Sequence, residues 1–207
     1  QNDYLNVEAG VLLPHLNNYL LNLGYINFIW ASSIPGTIGG SIMGNAGAYK
    51  HDLFEDLISI NVLDENLKEK TIMKEEIKYG YRKTNLNNYI ILSGKFKLFK
   101  GDINAAKEIM KINITKRMAT QPLDKKTAGS VFQNPENMAA GKVIEELGLK
   151  GYSIGGAKIS EKHANFIVND NNATSENIIN LINYIKDKAK KEKNINLELE
   201  QKIVKWE

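Results

Sequence analysis

The chain of 207 residues contains no cysteine. That excludes disulfides, thiolate metal sites and a cysteine nucleophile, and it fits a reducing compartment. No apolar run approaches the roughly 18 residues that a membrane span needs, so no membrane partner is expected. Charge of one sign is scarce: 27 Lys and Arg stand against 24 Asp and Glu, a net charge of +3. The aromatic residues are not interleaved with a basic stripe, and nucleic acid is not expected as a partner. The three histidines share no ligand spacing, and without thiolates no metal site is expected. Neither a P-loop, nor the G-x-G-x-x-G spacing of a dinucleotide fold, nor a G-x-S-x-G elbow is found. The chain opens at Gln1, with no initiator Met and no signal peptide, so a first segment is expected to precede it.

Glycine is present where it is least expected. Ser33 to Tyr49 reads S-I-P-G-T-I-G-G-S-I-M-G-N-A-G-A-Y, with Gly36, Gly39, Gly40, Gly44 and Gly47 and almost no charge. Such a run costs backbone entropy and buries little side chain, so a core alone does not call for it. Lacking Cβ, it lets another group come close to the main chain, and successive free N–H groups would make a concave anion site. A flavin-type or substrate-type loop is one reading, and a pair of tight turns between strands is the other.

The organisation is α+β, divided near Gly101. Asn6 to Leu13 reads as an extended stretch, and Pro14 to Leu23 as a short helix ended by Gly24. Ile58, Ile60 and Val62 alternate with polar residues, which predicts a strand before a turn at Asp64-Glu65-Asn66. Tyr89 to Leu92 and Phe96 to Phe99 read as two strands around Gly94. Asp102 is a fitting N-cap for a helix with Ile103, Ala106, Met110 and Ile114 inward, and Pro122 follows its end. A second helix is predicted from about Glu136 to Leu147, stopped by Gly148. A third is capped by Thr174 and closes on a solvated lysine face of Lys186, Lys188, Lys190 and Lys191. Ile195, Leu197 and Leu199 alternate with polar residues as a last strand.

Three polar positions stand out. Arg82, in K-Y-G-Y-R-K-T, offers the planar donor fork that suits a carboxylate or phosphate, or else stacks on a neighbouring tyrosine at the surface. Ser130, in T-A-G-S-V-F-Q-N-P, is a hydroxyl able to donate a proton, or a turn serine bonded to its own backbone. Glu200 lies on the polar face of the last strand, where an exposed carboxylate is the ordinary reading. His163, in S-E-K-H-A-N-F, reads as a loop hydrogen bonder.

Taken in order, several segments resemble the UDP-N-acetylenolpyruvoylglucosamine reductase family. They are I-P-G-T-I-G-G-S-I-M-G-N-A-G-A-Y at 34–49, Y-R-K-T at 81–84, Q-P-L at 121–123 and A-G-S-V-F-Q-N-P at 128–135. G-L-K-G at 148–151, G-G-A-K-I-S-E-K-H-A-N-F-I-V-N at 155–169 and L-E-L-E at 197–200 continue the match. The resemblance implies a flavoenzyme of cell-wall (peptidoglycan) synthesis in the bacterial cytoplasm, of the shorter subtype. In it NADPH reduces FAD, and the reduced cofactor passes hydride to the enolpyruvyl group of UDP-N-acetylglucosamine enolpyruvate. It implies that Arg82 and a protonated Glu200 stabilise the resulting enediolate and that Ser130 protonates the adjacent carbon. FAD contacts are implied at Ile34, Pro35, Gly36, Thr37, Gly39, Gly40, Asn45, Gly47, Ala48 and Tyr49, and substrate contacts at Tyr81, Arg82, Gln133 and Asn134.

The implied fold has residues 1–101 as the second lobe of a two-lobed FAD-binding domain, its first lobe absent, and 102–207 as a smaller α+β substrate domain. Two positions depart from the family: Gln133 stands where lysine is usual, and Gly44 where an apolar methionine is common. The lost lysine charge would weaken attraction for the substrate diphosphate. The competing reading is a truncated, non-catalytic relative that binds a sugar nucleotide or a partner.

Overall fold

Alternating apolar and polar residues build the first sheet, and where the alternation slips the sheet bulges. The computed structural model describes residues 3–204, and contacts divide the chain into two units, Gln1–Lys116 and Arg117–Glu207. In chain order the first unit holds β1 (Asp3–Glu8), α1 (Leu13–Asn22), α2 (Ile38–Met43), β2 (Gly47–Ala48) and β3 (His51–Asp52). It continues with β4 (Leu57–Leu63), β5 (Glu69–Met73), β6 (Tyr79–Gly80), β7 (Lys83–Thr84) and β8 (Ile90–Leu98). The order β1-β8-β4-β5 forms one antiparallel four-stranded sheet, with β2-β3 and β6-β7 as separate hairpins.

The predicted strand at 58–62 is present as β4, with a change of phase. The pairing steps from Leu57↔Phe96 to Ser59↔Lys95, which leaves Ile58 as the extra residue of a bulge. Leu57, Ile60 and Val62 therefore face the core, while Ile58 does not. The two strands expected around Gly94 are one strand, β8, that runs straight through it. A Cβ at Gly94 would lie 2.8 Å from the Phe96 ring and 2.9 Å from Ile42 Cδ1. Gly94 is thus the place where α2 comes down onto the sheet, and not a break.

The core of this unit gathers the inner face of the sheet with Leu13, Leu16 and Leu20 of α1 and Ile38 and Ile42 of α2. The helix at 14–23 is borne out as α1, with Gly24 left-handed just beyond it. Helix α3 (Ile103–Thr120) starts as expected: Asp102 Oδ1 accepts from the amides of Asn104 at 2.9 Å and Ala105 at 3.1 Å. Its buried positions are Ala106 and Asn113, whereas Ile103, Met110 and Ile114 are half-buried. The division between the units falls within α3.

The second unit holds β9 (Thr127–Ser130), α4 (Ala140–Glu146), β10 (Ser153–Ile154), β11 (Ala157–Ile159), β12 (Phe166–Asn169) and α5 (Ser175–Lys193). Its antiparallel sheet has the order β10-β11-β12-β9. Leu181, Ile182, Ile185 and Ala189 of α5 and Val143 and Ile144 of α4 pack on it.

Helix α5 is capped by Thr174 as read: Thr174 Oγ1 accepts from Asn177 N at 3.1 Å, and Asn177 Oδ1 accepts from Thr174 N at 3.2 Å. Lys186, Lys190 and Lys191 face solvent, whereas Lys188 is half-buried and donates to Leu147 O at 3.1 Å, and half-buried Lys193 pairs with Glu146 Oε2 at 2.6 Å. Helix α4 is shorter than the predicted 136–147. Asn137 is left-handed, and the Asn134 carboxamide oxygen accepts from Ala140 N at 3.0 Å, so the helix begins four residues late. The last strand is reduced to an isolated bridge, Phe132↔Leu199. The mixed α+β architecture is the expected one.

Candidate active site

The glycine run is neither a bare loop nor a pair of turns, because it contains α2. Thr37 caps that helix, its Oγ1 accepting from Gly40 N at 3.3 Å. The free amides expected of the run are largely in use. Ile38 N donates to Val11 O and Gly39 N to Ala9 O, both at 2.9 Å. Ser41 N donates to Thr37 O, Gly44 N to Gly40 O, Asn45 N to Ile42 O and Ala46 N to Ser41 O. Ile34 is half-buried against the core, while Pro35, Gly36 and Gly40 are exposed.

After α2 the chain turns back through β2 and β3. The two residues of that turn, Tyr49 and Lys50, both have positive φ (55° and 69°), which matches the type I′ hairpin twist but strains residues with a Cβ. Tyr49 Oη donates to Asn113 O at 3.1 Å. Gly47 admits no side chain: a Cβ there would sit 2.5 Å from His51 O. Ala48, beside it, is half-buried.

Arg82 sits in the tight turn between β6 and β7, itself left-handed at φ 56°. Its guanidinium donates to Asn45 O at 3.2 Å and to Gly47 O at 2.6 Å, and it also lies over the Tyr81 ring, 4.9 Å from the centroid. The stacking on a neighbouring tyrosine is thus present, and the donor fork is turned onto two main-chain carbonyls. Asn45 Nδ2 donates to Gly80 O at 3.1 Å, and Thr84 Oγ1 to Met43 O at 2.7 Å. Four side-chain bonds thus fasten the arginine hairpin to the C-terminal end of the glycine run.

Two polar atoms at this segment are buried with no protein partner among the described residues, Ser32 Oγ and Asn45 Oδ1. Asn45 itself is 1% exposed. Burying such an atom without a hydrogen bond costs about 1–3 kcal/mol. The pair fits a segment that receives a polar ligand carrying hydrogen-bond donors.

In the second unit Ser130 ends β9, opposite Phe166 of β12. It lines an open cleft of about 430 Å³ with Thr120, Asn134, Gly141, Lys142, Glu145, Lys150, Lys162, His163 and Asn165. Three lysines against one glutamate make the cleft a place for an anion. Lys150 Nζ is 2.8 Å from Glu145 Oε1, and Lys142 lies 3.9 Å from Glu146.

Burial pushes His163 below the ordinary imidazole value, and the Lys150 ammonium adds to the effect. The ring accepts from Asn165 N at Nδ1 (3.2 Å), which supports the loop role read for it. Half-buried Glu200 is joined to the same strand: its N–H donates to Val131 O at 2.9 Å. Gln133 N donates to Glu198 O at 2.9 Å, and Gln133 is half-buried. Asn134 is exposed, with its carbonyl oxygen committed to α4.

The structure thus brings Ser130 and Glu200 onto one stretch of main chain, and Arg82 onto the glycine run of the other unit. Sequence reasoning had not singled out Lys142, Lys150, Lys162 or Asn165. Only the last three lay inside quoted motifs, and nothing in their spacing marked them. Among the described residues no helix is long and apolar enough to cross a membrane, and no group of three or more acidic, His or Cys residues could hold a metal ion.

Comparison with known proteins gives two family matches. Residues 121–204 match the C-terminal domain of UDP-N-acetylenolpyruvoylglucosamine reductase, and residues 1–67 match an FAD binding domain. A UDP-N-acetylenolpyruvoylglucosamine reductase of Prochlorococcus marinus subsp. pastoris is 45% identical over 205 residues, covering 97% of this chain and 69% of the relative. One from Caldanaerobacter subterraneus subsp. tengcongensis is 42% identical, covering 95% of this chain and 66% of the relative. The crystal structure of UDP-N-acetylenolpyruvylglucosamine reductase from Thermus caldophilus superposes with a TM-score of 0.85 at 31% identity, covering 96% of this chain and 71% of that one.

Proposed function

Because the chain belongs to the UDP-N-acetylenolpyruvoylglucosamine reductase family, we propose that it performs the family's reaction on its own site residues. The reaction reduces the enolpyruvyl ether of a UDP-N-acetylglucosamine to the lactyl ether of UDP-N-acetylmuramate, at the expense of NADPH. It is a step of peptidoglycan synthesis and belongs in the bacterial cytoplasm. We assign residues 1–101 to the FAD-binding part and 102–207 to the substrate-binding part.

The observation that carries this reading is the pairing of two features. One is a glycine run with an orphaned Asn45 Oδ1, in a segment that matches an FAD binding domain. The other is a cationic cleft that presents the Ser130 hydroxyl.

FAD, when bound, supplies the two-electron carrier between NADPH and the substrate's carbon–carbon double bond. The residues that would hold it are Ile34 to Thr37, Gly39, Gly40, Asn45, Gly47, Ala48 and Tyr49. Ser32 Oγ joins them as a second buried atom suited to a donor on the ligand. Hydride addition to the terminal carbon leaves negative charge on the carboxylate end of the substrate. Arg82 and Glu200 are assigned to that charge. Arg82 suits it because its guanidinium, a planar fork of donors, is fixed by the Asn45 and Gly47 carbonyls. Ser130 gives its hydroxyl proton to the carbon next to the carboxylate, and the serine regains a proton from water. Fixed donors of this kind act without reorganising as charge develops. Tyr81, Gln133 and Asn134 are assigned to substrate contact, and Lys142, Lys150 and Lys162 offer cationic charge to the diphosphate that Gln133 lacks.

The test uses the purified protein, prepared both as these 207 residues and as the whole coding sequence in which they lie. Flavin absorbance, and NADPH oxidation that depends on the enolpyruvyl sugar nucleotide, are the expected results. A colourless protein in both forms leaves only the binding-module reading.

A further inference from the structure

Ser130 and Glu200 are both attached to a two-residue segment, Val131-Phe132, which lies past the end of β9. The regular ladder stops at Ser130↔Phe166, so neither residue has a strand partner on the β12 side. Both are 1% exposed, and their main-chain groups must find partners inside the protein. Asn165 supplies them. Its Oδ1 accepts from Phe132 N at 3.0 Å, its Nδ2 donates to Phe132 O at 2.8 Å, and its main-chain oxygen accepts from Val131 N at 2.9 Å. The carboxamide thus copies, with one side chain, the two bonds that a neighbouring strand would give. On the opposite edge Glu200 N donates to Val131 O at 2.9 Å, and Gln201 Nε2 to Gly129 O at 3.1 Å. Asn165 is 4% exposed and its side chain is satisfied on both atoms by Phe132.

We propose that Asn165 is a positioning residue for proton delivery, its side-chain amide fixing the short segment from which Ser130 and Glu200 are both hung. The proposal rests on the roles given to those two residues above. It explains why an amide is needed: only Asn at this reach presents an acceptor and a donor side by side. An Asp would keep the bond from Phe132 N but set an oxygen against Phe132 O. A Ser would lose both bonds.

The test compares wild type, Asn165→Asp and Asn165→Ser in the FAD-loaded protein. Bleaching of the bound flavin by NADPH is expected to be unchanged in both variants. Turnover with the enolpyruvyl sugar nucleotide is expected to fall by about ten- to hundredfold, in kcat more than in KM, as misplacement by about an ångström does elsewhere. The Phe132 amide should lose hydrogen-exchange protection, and the solvent deuterium isotope effect should rise. In a Ser130→Ala background Asn165→Asp should cost less than about a further twofold, since coupled residues are not additive.

Turnover within about twofold of wild type in both variants, or fully additive losses in the double variant, would overturn the proposal. Loss of flavin binding or of NADPH bleaching in both variants would overturn it too, and would make Asn165 a residue of the fold alone. Wild-type protein that lacks turnover would instead sink the reductase reading itself.

Discussion

At the scale of single residues, Arg82, read from local sequence, proves to be held by main chain that is distant in sequence. Arg82 was legible as an arginine next to an aromatic ring, and it is one. Its hold on Asn45 and Gly47, 37 and 35 residues away, is a product of folding. Ser130→Ala should lower turnover by about 10²–10⁴-fold while substrate binding survives, the usual worth of a general acid. Stopped-flow reoxidation of the reduced protein, set beside substrate titration, checks it.

His163 carries a pH prediction. Its imidazole is harder to protonate in the folded chain than its ordinary value of 6.5. As pH falls below 6.5 the unfolded chain takes up the proton first, so this contribution is complete above 6.5 and is lost on acidification. The slope of melting temperature against pH between 6.5 and 5 should flatten in His163→Gln. An unchanged slope would assign the acid sensitivity to other groups.

At the scale of elements, helix starts were more readable than helix lengths or strand continuity. Asp102 and Thr174 announced α3 and α5 because a cap is local chemistry, a side-chain oxygen within three residues of the amide it serves. Thr174→Ala should cost about 0.5–2 kcal/mol in chemical denaturation. The start of α4 was misread because Asn134 caps it from six residues upstream across a left-handed Asn137. Asn134→Ala should therefore lower stability as well as substrate affinity, and denaturation without ligand separates the two effects. Gly94 was read as a break because glycine interrupts an isolated strand. Its reason lies in Ile42 and Phe96, which leave no room for a Cβ. Gly94→Ala should destabilise the protein by about 1–3 kcal/mol through overpacking, visible as a lower denaturation midpoint with unchanged slope.

At the scale of the whole molecule, a cofactor that binds only the folded chain should stabilise it by mass action. FAD at a hundred times its Kd is worth about 2.7 kcal/mol, or about 5–10 °C in melting temperature for a chain of this size. Scanning fluorimetry with and without FAD reads this directly. Ser130→Ala, altered in the second unit, should show the same shift, and a shift that vanished with it would place the cofactor contacts elsewhere.

What the sequence determined by itself is what short range or composition controls. That includes the α+β character, the helix caps, the absence of thiol chemistry, and motifs specific enough to mark the family. What only the tertiary structure decided is which groups are spent and which remain available. The amides of the glycine run turned out to be committed within α2 and to Ala9 and Val11, just beyond β1, while Ser32 Oγ and Asn45 Oδ1 were left over. The last predicted strand is one bridge, set on the edge of Val131-Phe132 opposite to the one that Asn165 occupies. Hydrogen-bond satisfaction is settled among residues tens of positions apart, once burial has removed water as the alternative partner, and no local pattern carries that information.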